Sequence, residues 1–218
     1  PRQFGSSKDF KSYPRSIKKD LKILKKLKVK FVFKPSVNDI YNFKTKNKPY
    51  IHRFERKLCG KFRPGHFLGV LNVVNRFLEI INPKYLFLGN KDFQQSFLIK
   101  ENIKKNKLNV QVINCSTVRN KNGLALSSRN NQLNKNQIKK AEKIIKFLRK
   151  NKPVYRNSGF KKSYLDNLKK KIKKIGISKI DYLTALNLKT LKTPNKLNKS
   201  FNFFVAFYIN NIRLIDNF

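Results

Sequence analysis

The chain has 218 residues, with no methionine or tryptophan, two cysteines, two histidines and 11 acidic residues. Each scarcity removes a class of function. Cys59 and Cys115 lack the close spacing of zinc ligands, and with His52 and His66 they do not assemble a convincing zinc site. Both are expected as buried free thiols in a reducing, cytoplasmic setting. No apolar run approaches the roughly 20 residues that cross a bilayer, and no signal peptide is visible, so no membrane role is expected. The lack of methionine also removes an initiator residue. The chain opens on Pro1, and sequence upstream of it is expected.

Lysine is what the chain has in excess. With 52 Lys+Arg against 11 Asp+Glu, the formal charge is +41. Such a balance suits a nucleic-acid binder, because cations that neutralise phosphates release counterions. Yet the lysines are spread along the whole chain beside abundant Asn, Ile and Phe, a joint bias that AT-rich coding produces by itself. Arg, the residue of bidentate phosphate and guanine contacts, is sparse. The charge is read as solvated lysine faces with no specific nucleic-acid partner. A basic nucleic-acid-binding module remains the non-enzymatic alternative.

At 39% hydrophobic, the chain can bury a substantial core. Ile17, Leu21, Leu24 and Leu27 predict a helix over 16–27, and Val29 to Phe33 alternates as a strand that stops before Pro35. Residues 42–63 read as irregular. A buried helix follows over 67–81, then a strand over 85–88, a helix over 93–104 and a strand over 109–113. This alternation predicts a parallel sheet with crossover helices. Beyond Ser116 the rhythm changes. Asn134 and Gln137 form a capping box for a helix, Pro153 and Gly159 mark a loop, and a second helix over 161–174 stops at Gly176. A strand over 180–186 and a hairpin turning at Asn210-Asn211 complete an α+β pattern. The boundary is placed near Val118.

Three segments carry chemistry. Gly89-Asn90-Lys91-Asp92-Phe93-Gln94-Gln95 lies where a parallel strand hands over to a helix, the place where open α/β sheets collect ligands. An ammonium at Lys91 can stabilise charge on a transferring phosphate, and Asp92 with Gln95 has the spacing of a helix capping box. Gly123-Leu124-Ala125-Leu126-Ser127-Ser128-Arg129-Asn130 gathers two hydroxyls and a guanidinium suited to phosphate oxygens. Arg63-Pro64-Gly65-His66-Phe67 precedes the buried helix, and Arg63 and His66 are further candidates. Locally, each of these also reads as an ordinary turn or cap.

In order and spacing the three segments resemble the motifs of the pantothenate synthetase (pantoate–β-alanine ligase) family. The likeness extends to Pro1-Arg2-Gln3-Phe4, Tyr13-Pro14-Arg15 and Arg213-Leu214-Ile215-Asp216-Asn217. The resemblance implies a partial Rossmann-like nucleotidylyltransferase domain (1–117) followed by a smaller, lid-like α+β domain (118–218). It implies an ATP-dependent, AMP-forming condensation of pantoate with β-alanine through a pantoyl adenylate. By similarity, Gly89, Asn90, Lys91, Asp92, Val118, Leu126, Ser127, Ser128 and Arg129 hold ATP, with Lys91 and Arg129 catalytic. Gln3 and Gln95 hold pantoate, and Gln3 also serves β-alanine. Mg²⁺ would bridge phosphate oxygens, and a homodimer is implied. Another adenylyl or cytidylyl transferase on the same fold is the enzymatic alternative.

Two departures stand out. Asn90 occupies a position where the family usually has Glu, so a carboxylate role there is lost. The family's His-x-Gly-His phosphate motif belongs upstream of Pro1, so the 218 residues alone are expected to have little or no activity.

Overall fold

Among the described residues, two sheets of opposite character organise the fold, one parallel and one antiparallel. The computed structural model describes residues 10–11, 13, 15–42, 46–195 and 200–218. Its helices are α1 (Ile17–Lys26), α2 (Val37–Tyr41), α3 (Leu58–Phe62), α4 (His66–Ile81), α5 (Phe93–Lys105), α6 (Lys135–Asn157) and α7 (Lys162–Lys174). Its strands are β1 (Tyr85–Gly89), β2 (Gln111–Cys115), β3 (Lys179–Asn187), β4 (Phe201–Ile209) and β5 (Ile212–Asn217). Among the described residues, no helix is long and apolar enough to cross a membrane.

Strands β1 and β2 pair in parallel, from Tyr85 opposite Gln111 to Gly89 opposite Cys115. The expectation of buried free thiols is met at Cys59 and not at Cys115, which is exposed at the end of its strand. Helices α4 and α5 cover one face, where Leu71, Leu78, Ile99 and Ile103 pack on Leu86, Leu88, Val110 and Val112. Strand side chains alternate, so Tyr85 and Phe87 point the other way, and Phe87 is 65% exposed. Parallel sheets ordinarily bury both faces; this pair buries one.

The expected strand over 29–33 does not form. An alternating segment becomes a strand only when a neighbour completes its backbone hydrogen bonds. Residues 29–36 carry no ladder, and Phe31 is 90% exposed. Helix α1 forms where its spacing predicts, but buries none of its residues. Within the stretch expected to be irregular, residues 46–63 are more ordered, with a 3₁₀ turn at Arg53–Arg56 and helix α3. Buried Gln94 fixes this stretch: its Nε2 donates to the carbonyls of Phe54 (2.8 Å) and Lys57 (2.7 Å). Gly60 is required there, because a Cβ would lie 1.7 Å from the Glu55 carbonyl oxygen.

The antiparallel sheet runs β3-β4-β5, with the hairpin turning at Asn210, whose φ is 51°. Helices α6 and α7 lie on one face, where Ile144, Leu148, Tyr155, Leu168 and Ile172 bury against Phe203, Val205 and Phe207. The other face carries Tyr182, Leu186, Phe204 and Ile215 into a cluster with Phe54, Leu58, Cys59, Phe67, Phe93 and Leu98. The sheet is therefore the shared wall between its own helices and the parallel-sheet region. Asn134 and Gln137 form the expected capping box. Helix α6 nevertheless continues through Pro153, which was expected to mark a loop. Leu148 and Tyr155, buried on either side of the proline, give the helix a packing reason to continue despite the lost backbone bond.

Candidate active site

Strand β1 ends at Gly89, where a Cβ would meet nothing within 4 Å, and the chain turns through a 3₁₀ turn (Asn90–Asp92) into α5. The Asp92–Gln95 capping box is absent, since the Asp92 side chain makes no cap bond. The 3₁₀ turn gives Asp92 φ −96° and ψ 52°, outside the extended backbone typical of a capping residue. Its carboxylate instead lies 3.8 Å from the Lys91 ammonium.

The second loop leaves β2 and forms a narrow bridge between Arg119 and Ala125. Gly123 turns it with φ 86°, and the Leu126 amide donates to the Val118 carbonyl at 3.0 Å. Val118 and Leu126 are thus neighbours, 66% and 53% exposed. Ser127 caps a 3₁₀ turn (Ser128–Gln132) by accepting from the Arg129 amide. The Ser128 hydroxyl donates to the Tyr13 hydroxyl at 3.1 Å, and the Arg129 guanidinium sits over the Tyr13 ring.

The two loops meet. Lys91, Ser127, Arg129, Arg213 and Leu214 line one tight cleft of about 10 Å³. Lys91 also lines a second, of about 40 Å³, with Arg63, His66, Asp92, Gln95, Tyr182 and Asn217. Arg63 and His66 face each other there, 3.1 Å apart. Strand β5 runs between the two clefts, lending residues to both. Gln3 lies outside the described residues.

Sequence reasoning missed Arg213 as a site residue. Its Nε donates to Asp181 at 2.7 Å, and its terminal nitrogens lie 3.6 and 3.7 Å from the Cys59 sulfur. Cys59 in turn lies 3.1 Å from the Tyr182 hydroxyl. Asp181 is the extra residue where the β3–β4 register shifts, which aims it along the sheet at Arg213. Burial disfavours the Arg213 charge, but Cys59, Asp181 and Tyr182 around it offset this and hold its pKa above the ordinary value. Burial, with Cys59 alongside, pushes the Tyr182 phenol well up. Arg213 is thus a cation fixed by Asp181, and it lines the first cleft together with Lys91 and Arg129. Its only signal in the sequence was its place in the Arg213–Asn217 segment.

Among the described residues, no group of three His, Cys, Asp or Glu could hold a metal ion. Asp92 is paired with Lys91 and Asp216 with Arg119, so the cleft offers no carboxylate cage.

A parallel sheet with helices, a lysine turn at one strand end and a hydroxyl–guanidinium loop after the next strand, followed by a small antiparallel-sheet domain, has the nucleotidylyltransferase fold. The profile for Pantoate-beta-alanine ligase matches residues 1–218, and the chain belongs to that family. It is 36% identical to the pantothenate synthetase of Clostridium botulinum (strain ATCC 19397 / Type A), across the whole chain and 78% of the relative. It is 34% identical to the pantothenate synthetase of Thermosipho africanus, with the same coverage. A crystal structure of pantothenate synthetase from Thermus thermophilus superposes with a TM-score of 0.90 at 30% identity, covering the whole chain and 79% of that protein. The pantoate-beta-alanine ligase of Francisella tularensis, complexed with beta-gamma ATP and beta-alanine, superposes with a TM-score of 0.81 at 37% identity, covering the whole chain and 75% of that one.

Proposed function

We propose that the cleft between the Lys91 turn and the Ser127–Arg129 loop is the ATP site of this pantoate–β-alanine ligase. The observation carrying this reading is that Lys91, Ser127, Arg129 and Arg213 line one cleft although they come from separate elements. Lys91 and Arg129, lining one cleft, concentrate potential for a polyanion. The enclosed volumes are too small for a triphosphate, so the nucleotide would lie across their open side. Val118 and Leu126, adjacent and exposed, offer apolar surface for adenine. Gly89 leaves room for phosphate to approach the Asn90–Asp92 turn.

In the reaction, a carboxylate oxygen of pantoate attacks the α-phosphorus of ATP. The bond to the bridging oxygen breaks, and pyrophosphate leaves with its electron pair. The β-alanine amine then attacks the acyl carbon, loses a proton and expels AMP. Lys91, Arg129 and Arg213 would offset negative charge as it moves onto pyrophosphate. Gln95, lining the neighbouring cleft, would hold pantoate with Gln3, because carboxamides bind hydroxyl and carboxylate without adding charge. Mg²⁺ would arrive with the nucleotide, held by its phosphate oxygens, since the described residues offer no cage for it. We place the domain boundary near Val118, and expect a cytoplasmic homodimer formed through the parallel-sheet region.

Calorimetric titration of the purified chain with ATP tests the assignment. The expected result is saturable binding that Lys91→Ala and Arg129→Ala each weaken at least tenfold. ATP binding indifferent to both substitutions contradicts it. Titration with pantoate against other hydroxy acids separates this enzyme from other transferases of the fold, with Gln95→Ala expected to reduce pantoate binding selectively.

A further inference from the structure

The Lys91 turn follows β1, whereas the Ser127–Arg129 loop leaves β2 and packs on the antiparallel core through Leu124 and Leu133, so their separation must be held by something. Two adjacent residues at the end of β5 touch both. The Asn217 carboxamide donates one proton to the carbonyl of Asn90 (2.8 Å) and the other to that of Lys91 (2.9 Å). Its own oxygen accepts from Asn202 at 3.2 Å, so the group is held from behind. Asp216 takes both terminal nitrogens of Arg119, at 2.6 and 2.9 Å. Arg119 also reaches the carbonyls of Gly123 (3.0 Å) and Asn217 (3.1 Å). Asp216 and Asn217 are joined once more, because the Asn217 amide donates to the Asp216 carboxylate at 2.7 Å. A continuous hydrogen-bonded path therefore runs from the Lys91 turn through Asn217 and Asp216 to Arg119, and from Arg119 to the base of the loop carrying Ser127 and Arg129.

Asp216 and Asn217 are buried, Arg119 is largely so, and the chemistry needed at 217 and 119 is restrictive. Facing two carbonyl oxygens, position 217 needs two donors. A carboxylate of the same shape supplies none and repels both. Position 119 needs a planar fork to meet Asp216 and two carbonyls together, which an ammonium cannot do.

We propose that Asn217 and the Asp216–Arg119 pair are positioning residues of the ligase, setting the separation between Lys91 and the Ser127–Arg129 loop so that both engage one triphosphate. Asn217 acts through Lys91, and Arg119 acts through Arg129. This rests on the ATP-site assignment above and goes beyond it by naming groups that do not touch the nucleotide.

Double-mutant cycles on the 218-residue chain, read as ATP dissociation constants by calorimetry, test it. Asn217→Asp is expected to weaken ATP binding about tenfold in the parent and less than twofold in a Lys91→Ala background. Arg119→Lys is expected to do the same against Arg129→Ala, but to keep its full effect in Lys91→Ala. A role confined to general stability would lower the melting temperature while costing the same factor in every background, and that additive outcome overturns the proposal. So does unchanged affinity in a folded Asn217→Asp. Should Asn217→Asp not fold, Asn217→Gln keeps the carboxamide one methylene further out and reads the same coupling. If Lys91→Ala and Arg129→Ala alone leave ATP affinity intact, the ATP-site assignment fails instead, before either cycle is closed.

Discussion

The antiparallel sheet is covered on both faces, by α6 and α7 on one side and by residues of the parallel-sheet region on the other. The parallel pair is covered on one face, with Tyr85 and Phe87 open on the second. The same contrast runs through the site. Arg213 projects from a strand locked in packing and is held by Asp181 and Cys59. Lys91 sits on a 3₁₀ turn whose own helix lacks a side-chain cap and whose carbonyls are satisfied by Asn217 from the other sheet. The better-packed domain thus supplies the rigidity that the strand-end turn lacks. A catalytic group on a marginally supported turn can be made precise by bonds from a rigid neighbour.

The contrast can be broken most strongly in the antiparallel domain. Phe203→Ala removes a fully buried ring from the larger core and should cost about 3–5 kcal/mol, read by urea unfolding. Gly60→Ala comes next, because its Cβ would collide with the Glu55 carbonyl at the seam between the regions. Forced overpacking of this kind costs about 1–3 kcal/mol, and a fall in melting temperature reports it. Lys91→Ala should leave stability nearly unchanged while weakening ATP binding by roughly 1.5–3 kcal/mol, about ten- to a hundredfold, by calorimetry. Asn134→Ala deletes one side of the α6 capping box and should cost about 1 kcal/mol in the same unfolding assay. Phe87→Ala, on the uncovered face, should change stability by no more than about 0.5 kcal/mol. A loss there as large as that at Phe203 would show that the parallel pair is covered in solution.

Much of the architecture was legible because local pattern and tertiary contact agree. The strands from Tyr85, Gln111, Lys179, Phe201 and Ile212 lie close to where alternation and turn residues put them. The segment 29–33 has the same alternation but no described strand to pair with, and periodicity cannot report a missing neighbour. Pro153 misled for the converse reason: a local breaker was overruled by the burial of Leu148 and Tyr155. At the candidate site, motifs alone single out Lys91 and the Ser127–Arg129 loop, and the structure has Lys91, Ser127 and Arg129 line one cleft. The Asp92–Gln95 box was expected from spacing, but the Asn90–Asp92 turn takes Asp92 out of a capping conformation. Arg213, Asp216 and Asn217 stand in a segment that resembles the family, yet their contacts lie far apart in sequence and no local pattern encodes them. Asn217 meets Lys91 across 126 residues of sequence.

The central claim is that the turn after β1 and the loop after β2 grip one nucleotide. A crystal structure of the chain with a non-hydrolysable ATP analogue tests this most directly. The account predicts the Lys91 ammonium and the Arg129 guanidinium both within about 3 Å of phosphate oxygens on the same molecule. An analogue whose phosphates touch one of these loops while the other stays remote would contradict it.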